Sequence, residues 1–232
     1  MTQCIAMVLA AGLGKRMNPE IPKQYQLVKS KPLLFYTLNT LFKTPEINQI
    51  AVVIAPDDLY FDQFDWSMFD SLIVLRVGGI SRFKSVQQGF EALNQICTIE
   101  PQDWLMTHDA ARCCIQHNDI SDFINYLKPH KVGGLFAIPV SDSLKKIQQG
   151  LVSQTMNRAH LWLAQTPQMF RAVLFAKALQ KEGDFSDEAE AIEKLGYKAS
   201  IVMGSRSNIK ITYPNDLNFA QSFLASFKHP RG

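Results

Sequence analysis

The sequence is short of several things, and each shortage narrows the reading. No apolar run approaches the length of a membrane-spanning helix, so a membrane protein is not expected. The apolar run near the start is too short for a signal peptide and carries no cleavage pattern, and a cytoplasmic protein is expected. Charge of one sign is not in excess. The net charge is +3 and the basic residues are scattered, which leaves no footprint for nucleic acid. There are four cysteines, Cys4, Cys97, Cys113 and Cys114, and no Cys-x-x-Cys pair. The adjacent Cys113 and Cys114 suit neither a disulfide nor a zinc site, so reduced structural thiols are expected. Internal repeats and low-complexity tracts are absent as well.

What is present is an alternation of strand-like and helix-like segments, the pattern of an α/β sheet. The 232 residues suit one domain spanning 1–232 with a core of full size. Apolar runs at Ile5–Leu9, Ile50–Ala55, Leu72–Val77, Trp104–His108 and Gly134–Pro139 read as buried parallel strands. Helical spacing predicts a helix from Lys31-Pro32 through Phe42 and another capped by Ser81 with Val86, Phe90 and Leu93 inward. Asn118 is expected to cap a helix carrying Ile120, Phe123, Ile124 and Leu127. Further helices are expected over Arg171–Glu182, from Ser186 to before Gly196, and from Pro214 through Phe227. Lys198–Met203 and Ile209–Thr212 are strand-like, and Leu161–Gln165 reads as another strand. The stretch Asp142–Thr155 breaks the alternation. It reads as two polar strands about a Gln148-Gln149-Gly150 turn, a hairpin with too little core to stand without a partner.

The stretch Ile5–Lys23 organises the rest. A buried strand ends in Ala10, Ala11, Gly12 and Gly14, small residues that let a ligand approach the backbone, and Lys15, Arg16 and Lys23 follow. Small residues, exposed amides and cations at the carboxyl edge of a strand make a phosphate site. It is not a Walker A loop, because Leu9 and Arg16 stand where a glycine and a hydroxyl are required. It is not a dinucleotide fingerprint either, because Met17 stands where the third glycine belongs. The pattern Leu-Ala-Ala-Gly-x-Gly-x-Arg-Met with a following Pro-Lys-Gln resembles the signature loop of sugar-nucleotide-type nucleotidyltransferases.

In a doubly wound sheet ligands bind beyond the carboxyl ends of the strands, and other candidates fall there too. Gly78-Gly79 leads into a helix with Arg82 and Ser85 one turn apart. His108-Asp109-Ala110-Ala111-Arg112 puts an acid at a strand end, where it serves a metal or a ribose hydroxyl, with two alanines leaving room. Arg158 follows the polar hairpin, and Lys210 sits in Asn208-Ile209-Lys210-Ile211-Thr212. Taken singly, each of these cations is most often a solvated surface charge.

Together with Ala164-Gln165-Thr166-Pro167-Gln168-Met169-Phe170 and Ser186-Asp187-Glu188-Ala189, these ordered motifs resemble the 2-C-methyl-D-erythritol 4-phosphate cytidylyltransferase family from the first strand to the last helix. The resemblance implies a doubly wound, mostly parallel sheet with a protruding β-hairpin arm at about 141–158. It implies transfer of a cytidylyl group from CTP to methylerythritol phosphate in the non-mevalonate isoprenoid pathway, with Mg²⁺ held mainly by the CTP phosphates. It implies a homodimer joined through the arm.

Carried over by position, Arg16 and Lys23 neutralise the triphosphate, with Lys15 assisting. Arg158 and Lys210 aim the sugar phosphate, Arg158 from the partner's arm. Ala10, Ala11, Gly12, Gly14, Gly79, Arg82 and Ser85 hold the cytidine and its phosphates, and Asp109, beside Ala110, meets ribose and metal. Arg112, Ser143 and Thr166 join in binding the sugar phosphate. Three positions depart from the family pattern: Cys113 for proline, Asn157 for aspartate and Ser143 for threonine. Two alternatives stand beside this one. A pentitol-phosphate cytidylyltransferase would more often show Ala-Gly-Gly in the first loop, where this chain has Ala10-Ala11-Gly12. A non-catalytic nucleotide-binding regulator on the same fold would lack Arg16 or Lys23.

Overall fold

The computed structural model describes residues 2–12, 14, 17, 21–181 and 183–226. Strand β1 (Cys4–Leu9) is followed by a 3₁₀ turn at Lys23–Tyr25 and a two-residue ladder of β2 (Leu27–Val28) and β3 (Lys31–Pro32). Helix α1 (Leu33–Phe42), β4 (Gln49–Ile54), β5 (Leu72–Arg76), α2 (Arg82–Ile96) and β6 (Trp104–Asp109) come next. Then follow α3 (His117–Leu127), β7 (Gly133–Pro139), β8 (Leu144–Gln148), β9 (Leu151–Met156) and β10 (Trp162–Arg171). The described chain closes with α4 (Ala172–Leu179), α5 (Glu188–Glu193), β11 (Ser200–Met203) and α6 (Pro214–Ser226).

Seven strands form one sheet in the order β11-β7-β10-β6-β1-β4-β5. The pairs β1–β4, β1–β6, β4–β5 and β7–β11 are parallel, and β10 runs antiparallel between β6 and β7. The runs on β1 and β4 are apolar on both faces because both faces are covered. Cys4, Ala6 and Val8 pack with Leu34, Leu38 and Leu41 of α1 and Phe123 of α3. Ile5 and Met7 pack on the other side with Val86 of α2 and Phe175 of α4. Helices on both faces of a mostly parallel sheet make the doubly wound three-layer fold.

Strands β8 and β9 pair only with each other. Gln149 (φ 51°) and Gly150 (φ 80°) form the two-residue turn, the backbone that suits the twist of a tight hairpin. Every residue of β9 is exposed, so this hairpin stands off the sheet as an arm. Among the described residues no helix is long and apolar enough to cross a membrane.

Several boundaries differ from the sequence pattern. The cap of α3 is Gln116, not Asn118, and that of α5 is Asp187, whose carboxylate accepts the Glu190 N–H. Ser186, the residue before the cap, instead gives its N–H and hydroxyl to the Glu190 carboxylate. Ile209–Thr212 joins no ladder, although Ile211 N–H reaches the Ala111 carbonyl at 2.9 Å. Lys31-Pro32 forms β3 rather than the first turn of α1. The strand expected at Leu161–Gln165 is twice as long and runs to Arg171, because both sides of β10 find partners.

Candidate active site

The carboxyl ends of β1, β5 and β6 open onto one cleft of about 1290 Å³. Backbone hydrogen bonds carry the sheet one residue past the ends of β1 and β6 and two past the end of β5. Ala10 N–H donates to Val53 O at 2.8 Å, Ala110 N–H to Leu9 O at 3.1 Å and Gly78 N–H to Ile54 O at 2.8 Å. The floor is therefore rigid backbone bearing small side chains.

The glycine pair lets two loops close over that floor. A Cβ on Gly78 would lie 2.2 Å from the Ala11 Cβ and 2.9 Å from the Ile54 carbonyl, so only glycine admits the first loop here. Gly14 (φ 64°) takes the left-handed conformation that side chains disfavour, and its Cα faces the Lys23 side chain. Buried Gln24 donates Nε2–H to the Ala10 carbonyl at 2.6 Å, which ties the turn bearing Lys23 to the end of β1.

The charges converge on Asp109. Its Oδ1 accepts from Arg82 Nε at 3.1 Å, and its Oδ2 lies 2.7 Å from Lys210 Nζ. Arg82 spends its other nitrogens on Glu188, Nη1 to Oε1 at 2.7 Å and Nη2 to Oε2 at 3.1 Å. Burial pushes the Asp109 carboxyl up, but Arg82 and Lys210 outweigh it and hold the group well below the usual carboxylate range. Burial likewise works against the Arg82 charge, and Glu188 and Asp109 overcome it.

Behind Asp109 a hydrogen-bonded chain sets its backbone. Asp109 N–H donates to Thr166 Oγ1 at 3.0 Å, and Thr166 Oγ1 lies 3.1 Å from His108 Nδ1. His108 Nε2 faces the Arg112 carbonyl at 3.3 Å, which only an N–H can satisfy. The tautomer follows: Nε2 carries the proton and Nδ1 accepts from the threonine. Burial drives the His108 pKa down to about 4, so this imidazole is neutral at pH 7.

Of the residues singled out in sequence, Ala10, Ala11, Gly12, Gly14, Lys23, Gly79, Arg82, Ser85, Asp109, Ala110 and Lys210 line this one cleft. Lys15 and Arg16 lie outside the described residues. Gly79 N–H is taken by Ser85 Oγ at 3.0 Å, so that pair shapes the turn. Thr166 is buried beneath Asp109. Arg112 is turned to the carbonyls of Asn208 and Ala164, at 2.7 and 3.4 Å. Ser143 and Arg158 are exposed at the base of the arm, apart from the residues lining the cleft, with Arg158 Nη1 donating to the Ser141 carbonyl. Asn157 Oδ1 accepts the Ala159 N–H at 2.9 Å and closes the turn there. Cys113 is 1% exposed and packs in the core.

Two functional candidates were not singled out from sequence as site residues, Gln24 and Glu188. Both sit inside motifs that were visible, but nothing local reveals that their partners are Ala10 and Arg82.

The match to the family described as 2-C-methyl-D-erythritol 4-phosphate cytidylyltransferase (IspD) covers residues 4–226. A protein of that name from Chromobacterium violaceum is 47% identical over 225 residues, covering 96% of this chain and 98% of that one. One from Laribacter hongkongensis is 45% identical over 227 residues, covering 97% of each. Among solved structures, a 4-diphosphocytidyl-2C-methyl-D-erythritol synthase superposes with a TM-score of 0.86 at 32% identity, covering 97% of this chain and 99% of that one. The Francisella tularensis cytidylyltransferase superposes at 0.77 and 33% identity, covering 96% and 100%.

Proposed function

Because this chain belongs to the 2-C-methyl-D-erythritol 4-phosphate cytidylyltransferase family, we propose that its cleft holds CTP over the first loop and presents 2-C-methyl-D-erythritol 4-phosphate to the α-phosphorus. The chain is a nucleotidyltransferase, and its reaction joins the two substrates into 4-diphosphocytidyl-2-C-methyl-D-erythritol with release of pyrophosphate. The reaction serves isoprenoid precursor synthesis by the non-mevalonate route. The observation that carries the site reading is the convergence of Lys23, Arg82, Asp109 and Lys210 with the small-residue ends of β1 and β5 in one cleft.

The chemistry asks for little beyond position and charge. A phosphate monoester is already an oxyanion at neutral pH. One of its oxygens bonds to the α-phosphorus of CTP while the bridging oxygen to the β-phosphorus leaves as pyrophosphate. No covalent enzyme intermediate and no strong base is needed. Repulsion between two unit charges 4 Å apart is about 4 kcal/mol at an effective dielectric near 20. Lys23, with Arg16 and Lys15, offsets that repulsion at the triphosphate. Lys210 does so at the incoming phosphate, from the position it now shares with Asp109. Thr166 and His108 keep the Asp109 backbone in place, and His108, neutral and buried, takes no part as a base.

Mg²⁺ belongs to this reading. Among the described residues no cluster of three or more His, Cys, Asp or Glu side chains is present, and Asp109 offers one ionised carboxylate. Mg²⁺ commonly uses one or two protein carboxylates and takes its other ligands from phosphate and water, so this donor set fits an ion held mainly by the triphosphate. Bound there, the ion would neutralise charge on the phosphates.

We further read the arm of about 141–158 as the contact of a homodimer. Ile147, Leu151, Val152 and Met156 are exposed on it, an apolar surface that solvent would not favour. Arg158 and Ser143 stand at its base, where an arm crossing to a neighbour would carry them to the neighbour's cleft. The four cysteines are free thiols, which supports a cytoplasmic location.

The test is pyrophosphate release with each of the four common nucleoside triphosphates, supplied with methylerythritol phosphate or with ribitol 5-phosphate. Turnover is expected with CTP and methylerythritol phosphate. Preference for ribitol 5-phosphate would overturn the second substrate, and absence of turnover with every pair would overturn the catalytic reading.

A further inference from the structure

The motif Ser186-Asp187-Glu188-Ala189 has no task in the reaction as derived above, yet it stands beside the cleft. Glu188 is the first residue of α5 and is 5% exposed. A carboxylate is costly to bury unless it is paired. This one is paired through both oxygens to a single arginine, the same Arg82 that touches Asp109.

Its neighbours fix it to the sheet. Asp187 Oδ2 accepts from Gln168 Nε2 at 3.0 Å, and Gln168 Oε1 accepts the Ala189 N–H at 2.9 Å. Gln168 lies on β10 opposite Thr107 of β6, the strand that ends in Asp109. The residues on either side of Glu188 are thus clamped to the layer that carries Asp109.

We propose that Glu188 is a positioning residue for the nucleotide site, holding both Nη atoms of Arg82 so that only Nε reaches Asp109 and Asp109 Oδ2 is left to Lys210. An arginine with one carboxylate partner could present its fork to Asp109 and take both oxygens. With Glu188 gripping the fork, Arg82 contributes a single bond to Oδ1. The charges along the chain alternate, Glu188, Arg82, Asp109, Lys210, and sum to zero. Buried pairs add little net stability when compared with apolar replacements, so orientation of Arg82 is the role the geometry favours.

This inference rests on the reading that the cleft binds CTP. The experiment is a double-mutant cycle on the full chain with Glu188→Gln and Arg82→Met, with CTP affinity measured by calorimetry in the absence of the second substrate. Glu188→Gln is expected to weaken CTP binding and raise its KM by roughly 10- to 100-fold, the usual cost of losing a group that orients a ligand-contacting residue. The kcat at saturating CTP should change less. Glu188→Asp, which keeps the charge, should lie between this variant and the wild type. In the Arg82→Met background, Glu188→Gln should add less than about threefold, because its effect runs through the guanidinium. Independent losses that multiply in the double variant would overturn the proposal, and so would wild-type affinity in Glu188→Gln. If Glu188→Gln does not fold by circular dichroism, the same cycle with Glu188→Asp decides on the same two outcomes. A wild-type protein that binds no CTP overturns the nucleotide reading along with this one. CTP binding that Glu188→Gln leaves intact overturns this one alone.

Discussion

Lys210 Nζ lies 2.7 Å from Asp109 Oδ2 and joins a late, irregular segment of the chain to the end of the central strand β6. The aspartate is buried and the lysine side chain is 37% exposed, so one partner is fixed and the other can reach. A cation that reaches is suited to meet an incoming phosphate.

Replacing that cation should therefore separate catalysis from folding. Lys210→Met is expected to lower turnover by at least about a hundredfold, the scale of losing one preorganised charge contact in a transition state. An ion pair with one partner this exposed contributes at most about 1 kcal/mol, so the thermal midpoint should fall by no more than about 4 °C. Steady-state kinetics beside a melting curve check both halves. Near-normal turnover removes Lys210 from the reaction.

The buried histidine makes stability depend on pH in a defined window. In the fold His108 stays neutral down to about pH 4, because burial disfavours its charged form. In the unfolded chain an ordinary histidine takes up a proton near pH 6.5. The unfolded state thus binds the extra proton first, and stability falls as the pH drops from about 6.5 towards 4. Between about pH 7 and about pH 5 the loss should be about 2 kcal/mol. The Asp109 carboxyl, held low, contributes stability that is lost only at more acidic pH. Urea unfolding of the wild type and of His108→Gln at the two pH values tests this. An equal pH dependence in both proteins would assign it to other groups.

The contact of Gly78 with Ala11 predicts a compensating pair. Gly78→Ala forces its Cβ onto the Ala11 Cβ and the Ile54 carbonyl, neither of which is the end of a flexible side chain. A loss of about 1–3 kcal/mol in stability is expected from such crowding, together with weaker CTP binding as the first loop is pushed off the floor. Ala11→Gly introduced beside it should restore part of both, since the Ile54 contact remains. Failure of the second substitution to recover anything would mean that the two loops do not meet as described.

The arm can be tested by mixing subunits. Arg158→Ala should leave CTP binding nearly unchanged, raise the KM for methylerythritol phosphate and lower turnover. Arg16→Ala should abolish turnover through the triphosphate. In a site shared between chains, an equimolar exchange of the two should recover about a quarter of the wild-type rate, because half the dimers are mixed and each holds one intact site. Proven exchange without recovery would sink the shared site.

The sequence by itself determined the parts whose signal is local. The apolar run of β1 ending in Ala10, Ala11 and Gly12, the Ser81 cap of α2, the acid at the end of β6 and the Gln149-Gly150 turn of the arm are all legible, because strand burial, capping and turn conformation act over a few residues. Eleven of the residues singled out in the sequence, Lys210 among them through the family resemblance rather than a local signal, line one cleft. Tertiary structure decided what depends on partners far along the chain. Glu188 meets Arg82 across 106 residues, and no spacing rule records such a pair. β10 extends to Arg171 because β6 and β7 flank it, whereas the strand-like Ile209–Thr212 finds no ladder and stays irregular. The contacts of Arg112 with the carbonyls of Asn208 and Ala164 are of the same kind, because only folding brings those segments to it. Local chemistry chose the elements. Hydrogen bonds and ion pairs between distant segments chose which side chains face the cleft.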